Sequence, residues 1–268
     1  MDIEQLQELL EYEELESADY SFNRAKKKLR LLDDKNSSSV NLFEREQTFV
    51  SCCTLVDMRY MGYSGEVDLM ECVNKGVDLW VDHFCGDWWR NDNQASWVMD
   101  KSNSCDDRNW FETYSLGLFL ALLAERWDDI DQVSQWIDWG MGFGYMGDTK
   151  SDYEFASIYF KIASNLRSTE MPGIEELDEW AKKFSKGPLL LYQAFTAAVD
   201  GNQDEFNDFL VKSLKHEARA KPHAAPFLKV RPYFSVVAMA SRRLGMTLPE
   251  LEPKLDARLI LPEKLGLK

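Results

Sequence analysis

The sequence predicts an all-α protein, with antiparallel helix pairs stacked as a helical-repeat-like (α/α) single domain over residues 1–268. Three observations lead there. Apolar residues recur at helical spacing. Short polar residues followed three positions later by glutamate mark helix starts. No stretch shows the alternation of a strand or the Asn-Gly turn of a hairpin.

Asn41-x-x-Glu44 opens a first predicted helix. In the next, Met70, Val73, Val77, Trp80 and Phe84 advance by 3, 4, 3 and 4 residues and line one face. That helix should fade between Phe84 and Gly86. Asn109-x-x-Glu112 starts another, which carries the longest apolar run, Leu116 to Ala124. The run is about half of what a membrane-spanning helix needs. Asp128, Asp129 and Asp131 follow Trp127 at a further start, where carboxylates meet the positive end of the helix dipole. Ser151-x-x-Glu154 and Thr247-x-x-Glu250 repeat the capping pattern, and Gly187-Pro188 and Arg231-Pro232 place proline where a first turn tolerates it. Gly201 and Gly245 stand where helices should stop. Val230, Phe234, Val237, Ser241 and Leu244 line a last helical face.

An internal echo supports repeated helix pairs. Residues 121–133 and 197–209 share a small-residue helix end, a polar turn, an acidic helix start and two apolar residues three apart, at an offset of 76 residues. That is about two helical hairpins. No Pro-, Gly- or Ser-rich linker divides the chain. Lys35–Val40 and the glycine cluster Gly140–Gly147 read as short loops.

Charge is uneven. The net value is −15; residues 1–150 hold 30 Asp/Glu against 14 Lys/Arg, and the remainder 16 against 17. Such an acidic half repels nucleic acid and anionic lipid and attracts a basic protein. The N-terminal residues lack the basic and apolar regions of a secretory signal, so a cytoplasmic location is expected. Five cysteines with an adjacent pair, Cys52-Cys53, do not read as a disulfide framework. His83-x-Cys85 with Cys72 and Cys105 suggests zinc only superficially, since no C-x-x-C pair is present. No metal or cofactor is expected.

Signs of catalysis are sparse. Gly140, Gly142, Gly144 and Gly147 lack a preceding strand and the lysine of a phosphate loop. His216 and His223 flank Lys221-Pro222 with no nucleophile motif beside them.

The segment 83–112, HFCGDWWRNDNQASWVMDKSNSCDDRNWFE, stands apart. The cap at Asn109 confines its irregular part to about 86–108, longer than most connections in compact domains. Tryptophan with aspartate fits a sugar platform, and many helical glycosidases are helix-pair toroids. It equally fits an interface hot spot, or rings buried as staples beneath a loop. The preferred reading is a partner-binding surface. Trp88, Trp89 and Trp97 would serve as buried anchors, and Asp92, Asp106 and Asp107 would pair with basic residues. A helical glycosidase or lyase, and a helical-repeat adaptor, are the alternatives.

Residues 187–262 run GPLLLYQAFTAAVDGNQDEFNDFLVKSLKHEARAKPHAAPFLKVRPYFSVVAMASRRLGMTLPELEPKLDARLILP. An Ala-rich helix and polar turn lead to a second helix ending in a His/Arg segment. A small-residue helix then closes on R-R-L-G, followed by a Pro- and Leu-bearing tail. This order resembles the immunity protein 49 family of bacterial polymorphic toxin systems. The resemblance implies an all-α, non-enzymatic protein that binds and neutralises a cognate toxin in the bacterial cytoplasm.

Overall fold

The computed structural model describes residues 42–60, 62, 67–86, 110–135, 137, 150–171, 173–220 and 232–268. Among them are ten α-helices and no strand. The helices are α1 (Leu42–Tyr60), α2 (Leu69–Cys85), α3 (Trp110–Leu123), α4 (Trp127–Ser134), α5 (Lys150–Leu166), α6 (Leu177–Ala181), α7 (Lys186–Val199), α8 (Gln203–Ala220), α9 (Tyr233–Arg243) and α10 (Pro253–Asp256). Ile174–Glu176 and Pro262–Leu265 are single 3-10 turns.

Neighbouring helices run antiparallel, and contacts at both ends fix the direction. Between α1 and α2, the Cys72 thiol approaches the Cys52 carbonyl at 3.7 Å while Arg59 donates to the Val67 carbonyl at 3.0 Å. Between α2 and α3, Gly76 faces Leu120, Trp80 faces Gly117, and Phe84 faces Tyr114. Between α7 and α8, Ser213 donates to the Gly187 carbonyl at 3.3 Å and His216 covers Gly187. One cluster of buried side chains extends from Phe49 to Leu265.

The pairs are not laid down in chain order. Helix α9 packs against α3, α5 and α7, so it enters the middle of the molecule rather than extending a stack. Every residue from Ser235 to Ser241 is therefore buried. The single stripe expected through Val237 and Ser241 described one face of a helix enclosed on several. Helix α3 is similar, with Tyr114 to Leu123 all buried.

The echo between 121–133 and 197–209 is a shared turn. In one, the Arg126 amide donates to the Ala121 carbonyl at 3.0 Å; in the other, Asn202 donates to Ala197 at 2.8 Å. Both are Schellman closures with a left-handed residue, Glu125 at φ 54° and Gly201 at φ 71°. A third copy ends α9, where Met246 donates to Ser241 at 3.0 Å and Gly245 has φ 92°.

Two expected capping boxes are corrected. Helix α5 begins at Lys150, ahead of Ser151, and the Glu154 carboxylate bonds Ser185 instead of reaching back. No helix starts at Thr247; its amide donates to the Gln203 side chain at 2.9 Å. The other starts agree with the sequence. Helices α1 and α3 open directly after Asn41 and Asn109, and α2 ends at Cys85.

Candidate functional site

The two ends of the bundle differ. At one end the helices are joined by the tight turns 124–126, 200–202 and 244–246, and the C-terminal tail ties them together. Lys268 pairs with Glu125, and Arg243 lies 4.8 Å over the Trp127 ring. Gln203 forms a two-way amide pair with the Thr247 backbone at 2.8 and 2.9 Å. Arg242 grips Glu263 with both guanidinium nitrogens, at 3.1 and 2.6 Å. Tyr60 at the end of α1 donates to the Ala257 carbonyl at 3.1 Å. Burial and the nearby Asp256 carboxylate push the Tyr60 phenol up to about 12, so it stays a neutral donor.

The opposite end gathers the C-terminus of α2 and the N-termini of α3, α5, α7 and α9. A run of ring contacts joins them. Phe84 meets Tyr114 at 6.0 Å, Tyr114 meets Tyr159 at 6.5 Å, Tyr159 meets Tyr233 at 5.7 Å, and Tyr233 stacks on Phe155 at 3.8 Å. Glu154 bonds Ser185 at the start of α7, and His216 near the end of α8 lies against Gly187. The α1–α2 register carries the start of α1 to the same end. Residues 1–41, 87–109, 138–149 and 221–231 therefore all adjoin helix ends at this one pole.

The chemistry described at that pole is structural. Burial raises the Cys85 thiol to about 11, with Asp129 adding to the rise and a hydrogen bond from Gln132 opposing it. A thiol held that high is a poor nucleophile at neutral pH. Burial likewise drives the Tyr114 phenol upward, despite its contact with Ser134 and the nearby Arg167 charge. Glu154 is 3% exposed, and one of its oxygens accepts from the Ser185 amide at 2.6 Å and hydroxyl at 3.0 Å. Among the described residues no three His, Cys, Asp or Glu side chains converge as a metal-ligand set. No described helix is long and apolar enough to cross a membrane.

The carboxylates after Trp127 are held by the fold. Asp128 and Asp129 lie in the first turn of α4. Burial opposes the Arg126 charge, but hydrogen bonds to Asp78 and Asp129 outweigh it and hold the guanidinium above its usual value. Arg126 also reaches the Asn74 carbonyl at 3.2 Å, fastening α2 to the α3–α4 turn. Burial opposes ionisation of Asp131, yet bonds from Ser168 and Gln135, with the Arg167 charge, keep its carboxyl below the usual range. Arg167 closes the C-terminal end of α4 by donating to the carbonyls of Ser134 and Ile137 at 2.9 and 2.6 Å. Nothing in the local sequence of α4 announces that partner.

The proposed contact residues Trp88, Trp89, Asp92, Trp97, Asp106 and Asp107 lie outside the described residues, as do His223 and the Gly140–Gly147 cluster. What the structure adds is where their segments attach. Long connections at 86–109, 135–149 and 221–232 are interleaved with short ones at 61–68, 124–126 and 200–202, a pattern broken between α5 and α7 by α6 and its flanking segments 167–176 and 182–185. With antiparallel neighbours, this pattern attaches 86–109, between α2 and α3, and 221–232, between α8 and α9, at one end. It was available in the sequence once the helix limits were drawn. No protein-family model, curated protein or solved structure matches the chain.

Proposed function

We propose that this chain is a non-enzymatic immunity protein that binds and neutralises a cognate bacterial toxin in the cytoplasm. Contact is made through the pole bearing the long connections. The observation that carries the proposal is the asymmetry of the bundle. One end is closed by short turns and ion pairs, and long connections adjoin the other. Binding residues concentrate on loops held by a rigid scaffold, because the scaffold meets their ordering cost in advance. The acidic first half suits a basic toxin, gaining association rate and discrimination from charge complementarity. The order of parts in residues 187–262 is the family likeness behind the choice of class.

In this reading Trp88, Trp89 and Trp97 anchor the contact, and Asp92, Asp106 and Asp107 pair with basic residues of the toxin. Alanine at each tryptophan in turn should weaken affinity for the cognate toxin, sought first in the product of the neighbouring gene. The loss expected of an aromatic anchor is about thirtyfold, or about 2 kcal/mol. The thermal midpoint should stay within about 2 °C of the parent, as for surface changes. Variants that unfold while any remaining folded protein binds normally would make the rings staples and end the interface assignment.

A further inference from the structure

Charge on α8 is sorted along the helix. Asp204, Glu205 and Asp208 stand towards its start and Lys212, Lys215 and Arg219 towards its end, all exposed. That order complements the helix dipole and needs no partner to explain it. The lysines beside the end of α8 are not explained that way. Lys186 is the first residue of α7, Lys182 and Lys183 lie in the turn just before it, and Lys150 opens α5, all four exposed. Each stands at or next to a helix N-terminus, where a cation opposes the dipole, and the first turn of α7 holds no acidic residue.

The fold brings these groups to one surface. His216 lies against Gly187, and Ser213 donates to the Gly187 carbonyl at 3.3 Å, which sets the last turns of α8 beside the start of α7. Glu154 joins the starts of α5 and α7, pairing with Lys150 at 3.4 Å and bonding Ser185. Trp180 of α6 is 41% exposed, with Lys183 Nζ 5.7 Å from the centre of its ring. The nearby carboxylates do not cancel the charge. Glu154 is buried, Glu179 pairs with Lys182 at 2.5 Å, and Asp208 with Lys212 at 2.6 Å. Asp178 takes Lys161 and Tyr192. Glu217 is half-buried, one turn from Ser213 on the side of α8 facing α7, and Glu175 and Glu176 lie ahead of α6. Asp152 and the adjoining segments 138–149 and 221–231 add three acidic and three basic residues, which balance. An excess of positive charge is left, centred on Lys183, Lys186, Lys215 and Arg219.

We infer that this surface docks an acidic protein segment carrying an apolar residue for the Trp180 indole. An exposed tryptophan beside basic side chains supplies an anchor and the charged rim that steers a partner onto it. A nucleic-acid strand fits less well. One ring offers no succession of platforms for stacked bases, and a strand longer than the patch carries its uniform charge into the acidic remainder of the protein. The surface is built from α5 to α8 alone, so the inference is independent of the toxin proposal.

The test titrates the full-length protein into a fluorescein-labelled peptide of about twelve residues, all Glu and Asp but for one central Leu, read by anisotropy. The parent should bind at about 0.05 M salt and lose about tenfold in affinity by about 0.3 M. Lys183→Glu/Lys215→Glu should weaken binding about tenfold, and Trp180→Ala about fivefold. Replacing the probe's leucine with serine should cost as much as Trp180→Ala. All three protein positions are exposed, so the thermal midpoint should stay within about 2 °C of the parent. No binding by the parent, or equal binding by the charge-reversed variant, would overturn the inference. So would tighter binding of an oligodeoxythymidine of the same charge. Should the charge-reversed variant unfold, the two probes decide with the parent, equal affinity for both refuting the assignment and a preference for the leucine probe supporting it.

Discussion

Replacing Gly117 with alanine is expected to cost about 2–4 kcal/mol of stability, although the same change in an ordinary helix interior gains about 1 kcal/mol. The sign is set by Trp80. A Cβ at position 117 would lie 2.0 Å from Cδ1 and 2.1 Å from Cγ of its indole, far inside contact distance. The indole is fully buried, between Phe84 at 6.3 Å and Tyr114 at 5.8 Å, so it cannot yield by a few tenths of an ångström. Expelling it forfeits most of what burying a tryptophan contributes, about 3–5 kcal/mol when such a side chain is deleted outright. Set against the helix-propensity gain, the net loss should lower the thermal midpoint by about 5–15 °C. Because the two residues share one slot, the cost of Gly117→Ala should shrink sharply in a Trp80→Leu background. A stabilised Gly117→Ala protein would mean that α2 and α3 do not cross as closely as described.

The second large effect is expected at Glu154. Ser185 is the N-cap residue of helix α7, its side chain makes no capping bond within the helix, and the N3 position that would hold a capping glutamate is Pro188. Glu154 supplies the missing carboxylate from α5, taking both the amide and the hydroxyl of Ser185. Its other oxygen is buried without a hydrogen-bond partner. Burying a carboxylate in that state is costly, so its removal recovers part of what is lost. The orphaned amide, the lost charge at a helix N-terminus and the cavity outweigh that recovery. Glu154→Ala should cost about 2–3 kcal/mol, and Glu154→Gln, which keeps one acceptor, about 1 kcal/mol. Lys150 at 3.4 Å is 69% exposed and contributes little. Chemical denaturation of the three proteins checks the order; equal stability of parent and Glu154→Ala would remove Glu154 from its capping role.

These two sites also mark where the sequence was legible. The all-α class, the core face of α2 through Val73, Val77, Trp80 and Phe84, and the stops at Gly201 and Gly245 follow from local rules. Spacing, capping and the left-handed turn act within one or two turns of helix. Ser151-x-x-Glu154 satisfies the same local pattern, yet its glutamate serves a helix more than thirty residues on. Tertiary competition for a carboxylate leaves no local trace. The enclosure of α9 escaped for a related reason, because a helix packed on several sides and one packed on a single side can share a stripe. The tryptophan-rich segment was legible as a segment. Its limits agree with the ends of α2 and α3, and its attachment at the pole of long connections comes from helix direction, which periodicity does not encode.

The binding proposal is tested most directly by amide hydrogen exchange, with the protein alone and in the presence of the product of the neighbouring gene as candidate toxin. Protection on binding is expected in peptides covering 85–112, with flanking effects at the starts of α5 and α9. The closed end, at 124–126, 200–203 and 244–268, should exchange as before. Protection concentrated at the closed end, or no slowed exchange at saturating toxin, would contradict the placement of the interface at the pole of long connections.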